Sequence, residues 1–115
     1  MNDLSKRLFS YSLNVLKYLK TLPETREFWV IKNQLYRSAT APGANYAESQ
    51  SGCTRPDFHN RINNSLREMQ ESLYWLNMIQ ELRKGDPNLE SLIRESIELV
   101  KILKTISYKT RKPTR

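Results

Sequence analysis

Arg37-Ser-Ala-Thr-Ala-Pro-Gly-Ala-Asn-Tyr-Ala-Glu48 lies inside the second of four amphipathic segments, yet most of its side chains are small. Ser38, Ala39, Ala41, Gly43, Ala44 and Ala47 leave little bulk between this backbone and a neighbour, so a partner helix can approach closely. Asn45 and Glu48, one turn apart, add a polar pair to that tight surface. Glycine costs roughly 1 kcal/mol in a helix interior and proline about 3. A Pro42-Gly43 pair in mid-helix therefore needs a compensating packing or functional reason.

Outward from this stretch, apolar residues recur at helical steps. The first segment, residues 3–22, carries Leu4, Leu8, Tyr11, Val15, Tyr18, Leu19 and Leu22, and Pro23 ends it. The second starts near Thr25 with Phe28, Ile31, Leu35, Ala39 and Tyr46 inward. It is expected to run through Pro42 with a kink there, because Pro42 cannot donate to the Ser38 carbonyl. Ser51-Gly-Cys53 makes the next turn. Thr54 can cap a third helix with Asp57 completing the box, followed by Phe58, Ile62, Leu66, Met69, Leu73 and Leu76. Lys84-Gly85 stops it. Asp86-Pro87 opens a fourth helix with Leu89, Ile93, Ile97, Val100, Leu103 and Ser107. No strand-like alternation interrupts the pattern. Short connections predict an all-α, antiparallel up-down-up-down four-helix bundle over residues 1–107, with a basic tail at 108–115.

A second apolar arc falls outside the main stripes. Phe9, Leu13 and Leu16 lie on the far side of the first helix, Trp75, Met78, Ile79 and Leu82 outside the stripe of the third, and Leu99, Ile102 and Ile106 widen the fourth. A soluble monomer avoids such exposed patches. Phe9, Leu13, Leu16, Trp75, Met78 and Leu82 are accordingly expected to be buried between copies in a homo-oligomer. At 115 residues a single small domain gains from such burial.

The formal charge is +7, and it is terminal. Lys6, Arg7, Lys17 and Lys20 outweigh Asp3 at the start. Lys109, Arg111, Lys112 and Arg115 crowd the end, and the stretch between is neutral. Repeated in an oligomer, these ends would attract RNA or DNA backbone without reading sequence. The tail is expected to project from the bundle. Tyr11, Tyr36, Tyr74 and Tyr108 admit two readings, base stacking beside cations or the rim of a core or interface.

Little in the chain points to catalysis. Glu68 and Glu71 share a face with Arg61, Asn64 and Trp75, and the carboxylates are expected to pair with Arg37, Arg61 or Arg67. His59 is the only histidine and reads as a surface residue. No Glu-x-x-His pair or phosphate-binding glycine loop is present, so no metal, cofactor or enzymatic activity is expected. No apolar run reaches the length of a membrane span. The lone Cys53 fits a reducing cytoplasm.

Arg37 to Glu48, followed by Asp57-Phe58 and Arg67-Glu-Met-Gln-Glu-Ser-Leu-Tyr-Trp-Leu76, resembles the bacterial four-helix bundle or intervening-sequence proteins, some encoded within insertions in large-subunit ribosomal RNA genes. The likeness is gapless through the second and third helices and looser elsewhere. Ala41-Pro42 and Met69-Gln70 depart from the pattern. The resemblance implies a left-handed antiparallel bundle closing into a pentameric ring, with Arg37, Asn45, Glu48, Arg61, Glu68 and Glu71 as its polar cluster. The chain is more distantly similar to the accessory protein of diversity-generating retroelements, a basic pentamer that binds nucleic acid and a reverse transcriptase. Together these readings lead to a non-enzymatic, cytoplasmic nucleic-acid-binding ring. The alternative is a scaffold ring docking another protein. Asn45 and Glu48 are expected to meet the third helix near Arg61, Ser65 or Glu68, with Ala44 at that contact.

Overall fold

The apolar stripes resolve into five helical segments in the computed structural model, which describes residues 1–111. They are α1 Asp3–Leu19, α2 Arg26–Ser38, α3 Ala41–Ser49, α4 Arg55–Leu82 and α5 Pro87–Thr110, with no strand among the described residues. α2 and α3 are two halves of one broken leg, so the architecture is a four-helix bundle. Pairings between legs fix its sense. Gly43 lies against Leu8 while Ser12 donates to the Ala39 carbonyl at 2.7 Å. Ser72 donates to Ser38 at 3.1 Å and Ser65 to the Pro42 carbonyl at 2.9 Å. Arg7 reaches Glu95, and His59 reaches Thr110. In the first two pairs of legs one number rises as the other falls, and Asn63 with Ser107 gives the same sense to α4 and α5, which leaves α1 antiparallel to α5 as well.

The caps form as the sequence requires. Asn2 accepts from the Ser5 amide at the start of α1. The Thr54 hydroxyl accepts from the Asp57 amide, and the Asp86 carboxylate accepts from the Asn88 and Leu89 amides. Gly52 and Gly85 turn the chain with φ of 77° and 83°, which side chains with a Cβ rarely adopt. The first helix ends at Leu19, three residues earlier than the apolar stripe, and the Thr21 and Leu22 amides tighten onto the Tyr18 and Leu19 carbonyls.

The break in the second leg is displaced from its expected place. It falls at Ala39–Thr40, and Pro42 sits in the first turn of α3. Proline fits a first turn, where its missing N–H would lack a partner anyway. The Thr40 amide shifts to the Arg37 carbonyl at 3.2 Å. Side chains take up carbonyls around the break: Thr40 Oγ1 donates to Tyr36 at 2.7 Å, and Ser12 to Ala39.

The core contains a polar seam that apolar periodicity does not show. Ser5, Ser38, Ser49, Ser65, Ser72 and Ser96 are buried. Along α4 the buried line is Ile62, Ser65, Met69, Ser72, Leu76 and Ile79. Ile79 and Leu99, expected in the outer arc, are fully buried; serines occupy the seam positions, and large residues flank them. Tyr11 and Ser96 meet at 2.7 Å. Ser96 gives its proton to the Leu92 carbonyl, so Tyr11 is the donor in that pair. Lys32, buried at the α1–α2 connection, donates to the Leu22 carbonyl and to Glu24.

Tyr18 offers the contrast, since its buried hydroxyl has no hydrogen-bond partner among the described residues. Burial, and then the Asp86 charge, push its pKa up to about 12; burial does the same to Tyr11. Tyr18→Phe should leave stability unchanged or raise it by about 1 kcal/mol, because an unpartnered buried hydroxyl is costly. Tyr11→Phe should lose about 1 kcal/mol, and urea denaturation gives the order. The alkaline limb follows from the same shifts. A folded pKa above the ordinary 10.0 means that the stabilisation is complete below pH 10 and is lost as pH rises through about 12. Tyr11 accounts for on the order of 2 kcal/mol of that loss, so Tyr11→Phe should flatten the decline.

Candidate functional site

The polar cluster assembles where the broken leg crosses α4. Residues 61, 68, 71 and 75 recur along one side of that helix, opposite Arg37 and Glu48. The Arg37 guanidinium donates to Glu68 at 2.6 Å and to both oxygens of Glu71 at 3.0 and 2.9 Å. Trp75 Nε1 donates to Glu71 at 3.2 Å. Hydrogen bonding to Glu71, followed by the Glu68 charge, raises the Arg37 pKa. About two turns past the break, Arg61 pairs with Glu48. Both carboxylates of the predicted pair are thus held by arginine, as their spacing suggested. They brace the α2/α3 leg against α4. Arg37 is 56% exposed, so the clamp contributes register more than stability.

Asn45 behaves differently from its motif neighbour. It is half-buried and makes no side-chain hydrogen bond among the described residues, whereas Glu48 meets Arg61. Ala44 is exposed and does not lie at the α4 contact. The small surface instead faces α1. Ala44 and Ala47, with Gly43, form one wall of an apolar groove whose other wall is Phe9, Leu13 and Leu16, about 360 Å³ in volume. The helix phase explains this: Pro42 and Tyr46 point to the core, which leaves 44 and 47 outward.

Other residues of the expected interface separate into two groups. Phe9, Leu13 and Leu82 are exposed at 52%, 40% and 53%. Leu16 is half-buried, while Trp75 and Met78 pack partly against the bundle's own core. Among the expected cation sites, Lys6, Lys17, Lys20, Lys109 and Arg111 are exposed. Arg7 is not free. It forms two 2.7 Å bonds to Glu95, a clamp between α1 and α5 that raises its pKa through that hydrogen bond. Three residues expected in the tail, Tyr108, Lys109 and Thr110, are helical, because α5 continues to Thr110. Lys112 and Arg115 lie outside the described residues.

His59 is half-buried and has a structural position that the sequence did not suggest. Its Nδ1 lies 2.8 Å from Thr110 Oγ1 and its Nε2 3.0 Å from Asn63 Nδ2. Thr110 donates onward to the Ile106 carbonyl, and Ser107 to Asn63 Oδ1. His59 therefore donates from Nδ1 and accepts at Nε2, tying the end of α5 to the start of α4. Among the described residues no three of His, Cys, Asp and Glu converge as a metal site, and no helix is long and apolar enough to cross a membrane.

An antiparallel bundle with a broken small-residue leg, braced by arginine–glutamate pairs, defines a class. The chain belongs to the 23S rRNA-intervening sequence protein family, whose model matches residues 2–105. It is also similar to a crystal structure of a protein of unknown function from the S23 ribosomal protein family of Bacteroides thetaiotaomicron VPI-5482. That match has 28% identity, a TM-score of 0.81, and covers 90% of this chain and 97% of the other. No curated protein matches.

The closest approach in the site makes a test. A Cβ built on Gly43 would meet Leu8 Cβ at 3.5 Å, an ordinary contact. Gly43→Ala should therefore be tolerated and raise stability by up to about 1 kcal/mol through helix propensity. Gly43→Leu should push α1 away and cost about 1–3 kcal/mol. Thermal melts of the two variants give opposite signs if the packing is as described.

Proposed function

We propose that this chain is a non-enzymatic, cytoplasmic, self-associating bundle that binds RNA or DNA backbone electrostatically. The observation that carries the reading is the contrast between engaged and free charge. Glu48, Glu68, Glu71 and Glu95 are all neutralised by arginine. Lys6, Lys17, Lys20, Lys109 and Arg111 are exposed and make no ion pair among the described residues. Arg7 leaves the candidate set because Glu95 holds it. In the sequence, Lys112 and Arg115 add to the positive charge at this end of the chain.

Assembly supports the same reading. Phe9, Leu13 and Leu16 line an apolar groove that a second copy can cover, and Leu82 is exposed separately on α4. Burying one such side chain contributes about 1.5–3 kcal/mol. Family membership favours a closed ring, for which five subunits is our proposal. A ring would gather the cations of several chains and raise their effective concentration along a polyanion.

Leu13→Glu and Leu82→Glu should each dissociate the oligomer while circular dichroism retains the helices. A monomer in light scattering of the unmodified chain would remove the assembly half of the proposal. For binding, affinity for a labelled RNA should fall steeply with salt. Replacing Lys17 and Lys20 together by alanine should reduce the slope of log K against log salt by about two if each contacts a phosphate. Absence of binding at low salt would instead favour the scaffold ring, a reading that the exposed Trp29, at 63%, also suits.

A further inference from the structure

α5 changes character along its length. Its first half, residues 87–98, holds Glu90, Glu95 and Glu98 against Arg94 alone. From Leu99 to Arg111 there is no acid, and Lys101, Lys104, Lys109 and Arg111 are all basic. Placement strengthens the contrast. α1 runs antiparallel to α5, with Tyr11 meeting Ser96 at 2.7 Å and Arg7 reaching Glu95, so the Arg7 cation is engaged by the acidic half of α5. The last turns of α5 are pinned to α4 by Asn63 to Ser107 and by His59 to Thr110. The basic half thus lies toward one end of a molecule 49 Å long and 28 by 23 Å across.

One side of α5 has a regular pattern. Arg94, Ile97, Lys101, Lys104, Tyr108 and Arg111 follow one another at alternating steps of three and four. At 3.6 residues per turn, the last four span only about 80° of the helix circumference. All six are exposed. Tyr108 is 65% exposed, and the Arg111 guanidinium lies over one face of its ring, 4.1 Å from the centroid. The opposite face of the ring is left for a planar ligand. The cation on the first face rigidifies the platform.

We infer that this face of α5 is a binding site for single-stranded nucleic acid, with Tyr108 as the base-stacking platform and Lys104 and Arg111 contacting phosphates, while Lys101 is paired with Glu98 at 3.8 Å. The inference rests on the electrostatic binding proposed above and adds a preference to it. Charge complementarity selects the occupant. A second copy presenting the same stripe would set lysine against lysine. A duplex can satisfy the lysines but keeps its bases stacked inside, out of reach of Tyr108. A single strand satisfies both, since every base has a π-face and aromatic stacking is tolerant of sequence.

The test compares a labelled single-stranded RNA oligonucleotide with the blunt duplex made from it, using the full chain. Tyr108→Ala should weaken single-strand binding by tenfold or more and leave duplex affinity and the salt slope unchanged. Tyr108→Phe should retain single-strand affinity, because the ring and not the hydroxyl carries the contact. Lys104→Ala should weaken both ligands and lower the salt slope by about one. Equal losses for strand and duplex in Tyr108→Ala, or no loss at all, would overturn the stacking site while leaving backbone binding intact. Polyglutamate that displaces RNA with no dependence on Tyr108 would likewise overturn it, in favour of an acidic protein partner. A wild-type chain that binds neither ligand at low salt would remove both proposals together.

Discussion

Close approach of backbones governs this bundle, and buried serine is what permits it. Every helical segment places at least one serine in the core. A serine is narrow enough to let neighbouring helices approach, and its hydroxyl can satisfy a group that the approach strands in the interior. Ser65 takes the Pro42 carbonyl and Ser12 the Ala39 carbonyl, on either side of the broken leg. Alanine at position 12 would fit the space and leave the Ala39 carbonyl without its side-chain donor, at about 1–3 kcal/mol for a group left unsatisfied, whereas the Pro42 carbonyl also lies within α3. Leucine would supply apolar area and hold the legs apart. The break at Ala39–Thr40 and the serines that face it are therefore one feature.

From that packing follows the disposition of charge. Because the α2/α3 leg lies close against α4, Arg37 can reach two carboxylates and Arg61 a third. Because α1 lies against α5, Arg7 can reach Glu95. Each pair is partly exposed and contributes little to stability by itself. Their larger effect is on the field outside the molecule. Four acids are cancelled locally, and the positive excess that remains belongs to the outer side of α1 and the far end of α5. Fold and electrostatics are linked through the same helix contacts.

Much of this was legible in the sequence, and the exceptions have physical causes. Stripes of leucine and isoleucine located the helices, and Thr54 and Asp86 marked two of their starts, because caps and apolar faces are local properties. That Glu68 and Glu71 pair with arginine was also accessible, with Arg37, Arg61 and Arg67 all open as partners, and the contact of the second leg with α4 selects Arg37. The serine seam was not, because a periodicity built on apolar residues assigns serine to the surface. That same omission shifted Ile79 and Leu99 outward. The Arg7–Glu95 clamp joins positions 88 apart in sequence, and no local pattern signals it. Ala44 was assigned to the wrong neighbour because the break before Pro42 resets the helix phase, turning 44 and 47 toward α1.

The two exposed surfaces left by this architecture are built from different elements, and that separation matters for how they could work together. The apolar groove belongs to α1 and α3, whereas the basic aromatic stripe belongs to α5. In the proposed reading, covering the groove removes Phe9 and Leu13 from water without needing the cations of α5. Burial of apolar area would then supply association energy that does not depend on salt, and the cations of α5 contacts that do. A chain with both on one face would have to desolvate lysines in order to assemble, at a cost of several kcal/mol per buried charge. Placing the groove on α1 and α3 and the stripe on α5 avoids that conflict, and His59, which ties the end of α5 to the start of α4, holds the last turns of the stripe in place.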